Sequence, residues 1–208
     1  MELYLVTDEN LCLGRNLEQV VEAAVHGGVT MVQLREKNLS TRQFLDRARL
    51  LHNLLKPHQI PLIINDRVDI ALAIDAEGVH VGQDDMPVAE VRNLLGSDKI
   101  VGYSVENINQ ALEAENMLVD YLGVSPVYVT PTKVDLVSQW GIEGLRALRK
   151  ITSHKLVAIG GIKESNLEAV SKAGADGIAV VSAICSAPDP KKAARNLLTL
   201  IKKAKTEA

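Results

Sequence analysis

Basic and amide side chains gather in one short stretch of the sequence, Gln33-Leu34-Arg35-Glu36-Lys37. Because side chains alternate between the two faces of an extended chain, Gln33, Arg35 and Lys37 share one side. Arginine grips phosphate oxygens as a planar fork and lysine attracts them as a point charge, so this trio is typical of an anion site. The same spacing fits a surface cluster of ion pairs around Glu36 equally well.

Carboxylates occur in the next two polar stretches, Asn65-Asp66-Arg67 and Gly82-Gln83-Asp84-Asp85. Carboxylate oxygens suit Mg²⁺, which can bridge protein and a diphosphate. Helix capping is the alternative for Asp85, because it precedes Met86-Pro87. Each stretch is a weak signal alone, but beside the basic trio they indicate a site for a magnesium diphosphate.

Hydroxyl groups and one lysine form a third set. Ser104 could orient a substrate, although capping of a helix near Asn107 explains it as well. The longer loop 125–133 places Thr130, Thr132 and Lys133 within four residues, and long polar loops of this kind usually serve function. These groups could hold an anion.

Two glycines and a serine suggest a second phosphate site. Gly160-Gly161 and Val181-Ser182 each follow an apolar run. Glycine lets a phosphate approach the backbone closely, whereas a tight turn would account for one glycine more easily than two. Together the motifs predict one diphosphate site and one monophosphate site, and hence two phosphorylated small-molecule substrates.

Short apolar runs predict the elements that position these residues. Continuous rather than alternating hydrophobicity indicates strands buried on both faces, as in parallel sheets. The predicted strands are Leu3–Val6, Val29–Leu34, Pro61–Ile64, Gly78–Val81, Ile100–Tyr103, Tyr121–Val124, Leu156–Ile159 and Gly177–Val181.

Helical patterns lie between the runs. Capping pairs predict three helix starts, and prolines predict two more. The pairs are Asn16 with Gln19, Ser40 with Gln43 and Ser165 with Glu168; the proline-led helices are Ala89–Leu95 after Pro87, and Pro190–Lys205.

Eight strand–helix repeats favour one of two α/β folds, a closed (β/α)8 TIM barrel or an open doubly wound sheet. The first strand is followed by Thr7-Asp8-Glu9-Asn10 and not by a glycine-rich fingerprint, so we expect a compact single-domain barrel over residues 1–208. The chemistry of such barrels lies at the carboxyl ends of the strands, where the polar motifs stand.

Composition excludes several classes of function. The 208 residues carry a net charge of −3 and only 3% aromatic residues, which argues against nucleic acid and anionic membranes as partners. The first residues are not those of a signal peptide, no apolar run approaches about 18 residues, and Cys12 and Cys185 form no metal-binding spacing. We therefore expect a cytoplasmic protein with two free thiols.

Five motifs in register resemble the thiamine phosphate synthase family, and the likeness extends from Tyr4 to Arg195. The motifs are Gln33–Lys37, Asn65-Asp66-Arg67, Gly82–Asp85, Thr130-Pro131-Thr132-Lys133 and Ala158–Ile162. The resemblance implies a transferase that joins 4-amino-2-methyl-5-pyrimidinylmethyl diphosphate to a thiazole (carboxylate) phosphate, giving thiamine phosphate and pyrophosphate. It also implies a magnesium-assisted, dissociative loss of pyrophosphate and allows a homo-oligomer.

Site roles follow from the same resemblance. It implies one Mg²⁺ per subunit on Asp66 and Asp85, and a catalytic set of Arg35, Lys37, Ser104 and Lys133. Pyrimidine diphosphate binding is implied for Gln33, Leu34, Arg35, Glu36, Lys37, Asn65, Ser104 and Lys133, and thiazole phosphate binding for Thr130, Pro131, Thr132, Gly161, Val181 and Ser182.

Two positions depart from the family pattern. Glu106 stands where members usually have histidine, two residues after the serine of the fifth strand. Ser125–Val129 replaces the usual Gly-Pro-[Ile/Val]-Phe-Pro. Neither change removes a charged ligand, so we expect activity to survive.

Three other functions compete with the synthase. A thiazole tautomerase on the same barrel would not need Arg35, Lys37, Asp66 and Asp85. A binding protein without catalysis would keep the pocket and lose turnover. A phosphosugar isomerase could use Asp8 and Asp66 as an acid–base pair, but it would leave the basic trio unexplained.

Overall fold

Eight parallel strands close into a barrel in a computed structural model that describes residues 2–129 and 139–207. Each strand pairs with the next, and the last pairs with the first through Ile178 and Leu3. This closing pair excludes the open sheet and confirms the predicted (β/α)8 barrel. The strands are β1 (Leu3–Val6), β2 (Met31–Leu34), β3 (Leu62–Asn65), β4 (Gly78–Val81), β5 (Ile100–Val105), β6 (Tyr121–Val124), β7 (Lys155–Ala158) and β8 (Gly177–Val180).

Helices surround the barrel and alternate with the strands. The helices of the described residues are α1 (Leu17–Gly27), α2 (Thr41–Leu55), α3 (Val68–Ile74), α4 (Val88–Leu95), α5 (Ile108–Ala114), α6 (Gly141–Ile151), α7 (Glu164–Lys172), α8 (Ser182–Cys185) and α9 (Pro190–Thr206). Within residues 2–129 and 139–207 there are also two short 3-10 helices, Asn10–Cys12 and Lys56–His58.

Two predicted helix starts are confirmed at the level of hydrogen bonds. The Asn16 side chain accepts from the Gln19 amide at 3.1 Å at the start of α1. Ser40 and Gln43 bond each other's backbone amides in a capping box before α2. Such caps satisfy amides that have no partner within the helix and contribute about 1 kcal/mol each.

The predicted start of α7 is wrong by two residues. The helix begins at Glu164, and Lys163 occupies the capping position in place of Ser165. The side chain of Asn166 accepts from the Lys163 amide at 2.8 Å, so an amide side chain supplies the bond predicted for Glu168.

Smaller differences affect strand and helix ends. Strand β2 starts at Met31, two residues after the predicted Val29, and β5 extends to Val105. Helix α4 begins at Val88, directly after Pro87. Helix α9 is capped by Asp189, whose carboxylate accepts a hydrogen bond from the backbone amide of Lys192.

The core has two parts. The larger lies between the barrel and the helices and is built mainly from Val, Ile, Leu and Ala, with the aromatic rings of Phe44 and Tyr103 also buried in it. The smaller fills the barrel interior and contains two buried tyrosines, Tyr4 and Tyr121. The barrel is thus a packed core and not a channel, so any ligand site is expected at the carboxyl ends of the strands.

The two cysteines are free, as the sequence predicts, and both are fully buried. The Cys12 thiol donates to the Asp8 carbonyl at 3.4 Å. No helix within 2–129 or 139–207 has the length and apolar character needed to cross a membrane.

Candidate active site

A cavity of about 800 Å³ opens at the carboxyl ends of the strands. Residues that follow every one of the eight strands contribute to its wall, from Thr7 after β1 to Ser182 after β8. Its volume lies within the range of about 300–1,000 Å³ typical of small-molecule sites. The polar strand ends that the sequence singled out therefore meet in one place.

The basic trio lies on one side of this cavity. Gln33, Arg35 and Lys37 all line it, and the Arg35 amide is anchored by a 3.1 Å bond to the hydroxyl of buried Thr7. Gln33 is only 4% exposed. The strand end thus fixes the backbone while the two cationic side chains face the cavity.

The intervening residues point elsewhere, as alternation along a strand requires. Leu34 is fully buried in the core behind the strand. Glu36 faces Arg47 of α2 at 3.1 Å, and Arg47 also pairs with Glu9 at 2.5 Å. Glu36 therefore ties the loop to the outer helix, which disfavours an ion-pair cluster of Arg35 and Lys37 around Glu36.

Asp66 and Asp85 come together on the adjacent wall. Asp66 has a positive φ of 62° and its amide donates to the His80 carbonyl at 2.8 Å; its carboxylate pairs with Lys37. The Asp85 carboxylate accepts from the Gly82 amide at 2.7 Å. Burial raises the pKa of Asp85, and the neighbouring Asp66 carboxylate adds to this rise by hydrogen bonding and repulsion.

A divalent cation fits this pair of carboxylates. Two acidic side chains share a partly buried wall, close enough for the Asp66 carboxylate to add to the rise that burial causes in the pKa of Asp85. Oxygen ligands of this kind are the ones that Mg²⁺ prefers. Asp85 does not cap α4, whose start at Val88 has no side-chain cap, so the capping alternative is wrong.

Asn65 and Ser104 line the cavity floor between the charged wall and the barrel core. Asn65 ends β3 and is 8% exposed. The Ser104 hydroxyl lies 2.8 Å from Nε2 of His80, while Asn107 caps α5 with its own side chain. Ser104 is therefore available to the cavity and is not consumed as a helix cap.

The opposite wall is built from backbone and small side chains. Gly161, Val181 and Ser182 line it together with Gly160 and Lys163. Gly160 and Gly161 have positive φ values of 101° and 64°. A Cβ atom at Gly161 would lie 2.8 Å from Cβ of Tyr128, so both conformation and space require glycine there.

One group of predicted site residues lies outside the described residues. Thr130, Pro131, Thr132 and Lys133 belong to the segment 130–138, between the two described ranges. Their assignment stays a prediction.

Sequence analysis missed several residues of the cavity wall. His80, Tyr4 and Lys163 line it, and so does Asp8, which the sequence suggested only as part of the acid–base pair of an isomerase. His80 had a recognisable signal, a single polar residue inside the buried strand β4, and Tyr4 is likewise a hydroxyl within an apolar run. Lys163 stands two residues after Gly161 and adds a cation to the wall where a second phosphate site is predicted.

Comparison with known proteins decides the family. The family model described as thiamine monophosphate synthase matches residues 3–184. The chain belongs to the thiamine monophosphate synthase family. It is accordingly an enzyme, and the sequence resemblance is confirmed.

Individual relatives agree with this assignment. A thiamine-phosphate synthase of Albidiferax ferrireducens is 56% identical over 97% of the chain and 92% of its own length. One from Vibrio campbellii is 52% identical over 96% of the chain and 98% of its own length. The structure of a thiamine phosphate pyrophosphorylase from Pyrococcus furiosus superposes with a TM-score of 0.88 at 37% identity, covering 98% of this chain and 96% of that one.

Proposed function

We propose that this enzyme joins 4-amino-2-methyl-5-pyrimidinylmethyl diphosphate to a thiazole phosphate, or its carboxylate form, and releases thiamine phosphate and pyrophosphate; the carboxylate form would lose its carboxylate as CO2 as well. One observation carries the proposal: two chemically different walls share one cavity. Cations and carboxylates follow β2 to β4, whereas glycine backbone and a serine follow β7 and β8. A diphosphate and a monophosphate can therefore bind face to face.

Arg35 and Lys37 favour the diphosphate on the first wall. Both side chains line the cavity, and the Arg35 backbone amide is fixed by its bond to Thr7, so their charges stand where a diphosphate would bind. Lys133 is expected to add a third cation. On the second wall, Gly161 and Ser182 offer close backbone approach and a hydroxyl to the monophosphate.

The reaction requires one bond to break and one to form. The bond between the pyrimidine methylene and the diphosphate oxygen breaks, and its electron pair leaves with pyrophosphate. The aminopyrimidine stabilises the resulting cation, and the lone pair of the thiazole nitrogen then forms the new carbon–nitrogen bond. Arg35 and Lys37 lower the energy of the charge that builds on the leaving group, and the cavity holds both partners in line.

Asp66 and Asp85 would hold one Mg²⁺ per subunit. When bound, the ion would neutralise charge on the diphosphate. Lys37 already pairs with Asp66, so this lysine can serve both the carboxylate and the diphosphate. A cytoplasmic location, a homo-oligomeric assembly and a single domain over 1–208 stay predictions.

Turnover with both substrates is the decisive test. Pure protein, Mg²⁺, the pyrimidine diphosphate and the thiazole phosphate are mixed, and pyrophosphate is measured. Release that needs both substrates supports the proposal. Failure to release pyrophosphate while the thiazole phosphate is still isomerised would overturn it in favour of the tautomerase; binding of both without change would favour a protein without catalysis.

Asp66→Asn tests the metal assignment. Asparagine tolerates the positive φ of this position better than alanine does, so the fold should persist while the metal-binding charge is lost. Asp75→Asn is the matched control, because Asp75 also has a positive φ, 55°, and lies beyond the cavity wall at the end of α3. We expect magnesium-dependent turnover to vanish in Asp66→Asn and to persist in Asp75→Asn. Full activity of Asp66→Asn would refute the assignment.

A further inference from the structure

A chain of five polar side chains crosses the inside of the barrel. The Gln33 amide donates to the Tyr4 hydroxyl at 2.8 Å, and the Tyr4 and Tyr121 hydroxyls lie 3.0 Å apart. Nδ1 of His80 lies 2.9 Å from the Tyr121 hydroxyl, and Nε2 lies 2.8 Å from the Ser104 hydroxyl. The chain begins at β2, passes through the closed core and ends at the cavity floor.

The hydrogen bonds of this chain have a direction. A Gln33 N–H can only donate, so the Tyr4 oxygen accepts from it and the single Tyr4 hydrogen needs its own acceptor. Tyr4 is 1% exposed, and the Tyr121 oxygen is the acceptor within reach. Burial raises the pKa of both tyrosines, so each keeps its hydrogen.

The direction continues to the cavity. If Tyr121 accepts from Tyr4, its own hydrogen is donated to Nδ1 of His80. A neutral imidazole that accepts at Nδ1 carries its proton on Nε2, and that N–H donates to the Ser104 oxygen. The hydrogen of Ser104 is then left to face the cavity, which Ser104 lines.

Two glycines make room for the middle of the chain. A Cβ atom at Gly102 would lie 2.2 Å from Cζ of Tyr121 and 2.5 Å from Nδ1 of His80. A Cβ atom at Gly123 would lie 2.8 Å from Cε1 of His80. The imidazole also stacks on the Tyr121 ring, with centroids 5.5 Å apart and an interplanar angle of 25°. The ring of His80 is therefore held by packing as well as by hydrogen bonds.

We propose that His80 is a positioning residue that fixes the Ser104 hydroxyl as a hydrogen-bond donor to the pyrimidine diphosphate. Tyr4 and Tyr121 set the tautomer of the imidazole, and the imidazole sets the direction of the serine hydrogen. The identity of the ligand rests on the proposed function, whereas the tautomer does not.

Nitrogen NMR tests the tautomer without any turnover. The protein labelled with ¹⁵N-histidine is measured near neutral pH, and the signal of His80 among the five histidines is assigned by its loss in His80→Gln. We expect a protonated Nε2 and a bare Nδ1. Tyr121→Phe removes the donor to Nδ1 and should change both shifts, while His26→Gln, at an exposed position, should change neither.

The opposite tautomer, or shifts that ignore Tyr121→Phe, would overturn the proposal. If Tyr121→Phe fails to fold, the wild-type spectrum alone still decides the tautomer. A correct tautomer in a protein that makes no product would leave the positioning geometry intact and refute the proposed function instead.

Kinetics test the positioning role. His80→Leu should lower kcat/KM about tenfold to a hundredfold, as expected for one hydrogen bond to a charged or strongly polar group. The KM for the pyrimidine diphosphate should rise, whereas the KM for the thiazole phosphate should stay within about twofold. His80→Gln, which keeps a donor near Ser104, should recover part of the loss.

A double-mutant cycle separates positioning from general damage. In a Ser104→Ala background the hydroxyl is gone, so His80→Leu should cause little further loss. If the loss of kcat/KM in the double variant equals the product of the two single losses, His80 acts independently of Ser104 and the proposal is overturned. Equal loss in His80→Leu and His80→Gln, with both KM values raised together, would point to a structural role and would also overturn it.

Discussion

Replacing Gly161 with alanine separates two effects that usually occur together, backbone strain and crowding. Gly161 has a φ of 64°, and Gly141 has a nearly equal φ of 60°. A Cβ atom at Gly141 would have nothing within 4 Å, whereas one at Gly161 would lie 2.8 Å from Cβ of Tyr128 and 3.0 Å from the carbonyl of Val129. Gly141→Ala is therefore a matched control for the strain alone.

The expected magnitudes follow from these distances. A left-handed backbone costs an alanine about 1–2 kcal/mol relative to glycine, so both variants should lose about that much stability. Crowding against a backbone carbonyl and a core-packed tyrosine should add about 1–3 kcal/mol at Gly161 only. The difference between the two variants measures the crowding.

The two variants should also differ in their KM values. Relief of the clash must move the wall that we assign to the thiazole phosphate, so its KM should rise tenfold or more in Gly161→Ala, by an order-of-magnitude estimate for a displacement near 1 Å. The KM for the pyrimidine diphosphate should change little, because that wall follows β2 to β4. Gly141→Ala should keep both values.

Urea denaturation and pyrophosphate release with each substrate varied in turn measure these quantities. Equal loss of stability in the two variants would refute the crowding. A rise in the KM of the pyrimidine diphosphate alone would refute the assignment of the two walls.

Three stability predictions concern residues away from the cavity. The Arg92 guanidinium donates to the carbonyls of Leu118, Gly96 and Lys99 and to the Asp120 carboxylate, so Arg92→Ala should lower the free energy of unfolding by about 2–4 kcal/mol in urea denaturation. Arg146→Ala, which breaks only an exposed ion pair with Glu143, should lower it by less than about 0.5 kcal/mol. Equal losses in the two variants would contradict this prediction. Hydrogen bonds from Thr152 and Ser153 lower the pKa of Glu115 from the ordinary value of 4.5 to about 2 in the folded protein. The carboxylate therefore contributes fully to the stability of the fold above pH 4.5, and this contribution is lost as the pH falls towards 2. The free energy of unfolding of the wild type should be about 1 kcal/mol higher than that of Glu115→Gln near neutral pH, and this difference should disappear in acid. A difference that does not change with pH would refute the prediction. The buried hydroxyl of Ser171 has no partner among the described residues, so Ser171→Ala should hold or raise stability by up to about 1 kcal/mol, and a clear loss would reveal a bond.

The strands could be predicted from sequence because a parallel barrel buries both faces of each strand. Val79 and Val81 of β4 and Ile63 and Ile64 of β3 are fully buried, and continuous apolar runs record this directly. The start of α7 could not be predicted in the same way. Several residues near it can cap a helix, and tertiary structure chose among them.

The candidate site was predictable where charge marks it and not where packing does. Arg35 and Asp66 stand out as polar residues after apolar runs. Glu36 looks equally suitable in sequence, yet it faces Arg47, which lies on α2 and has no fixed spacing from the strand. His80 was missed because its partners come from β5 and β6, and sequence spacing does not report contacts between strands.

The glycines beneath the imidazole restrict how this barrel can diverge. An added methyl group at Gly102 or Gly123 would overlap His80, and at Gly102 it would also overlap Tyr121. Residues 80, 102, 121 and 123 therefore cannot be substituted independently of one another in evolution. We expect relatives that keep the tyrosine and the histidine to keep both glycines, and relatives that enlarge residue 102 to have replaced Tyr121 with something smaller. Attempts to redesign the barrel floor for another ring system would have to exchange the four residues as one unit.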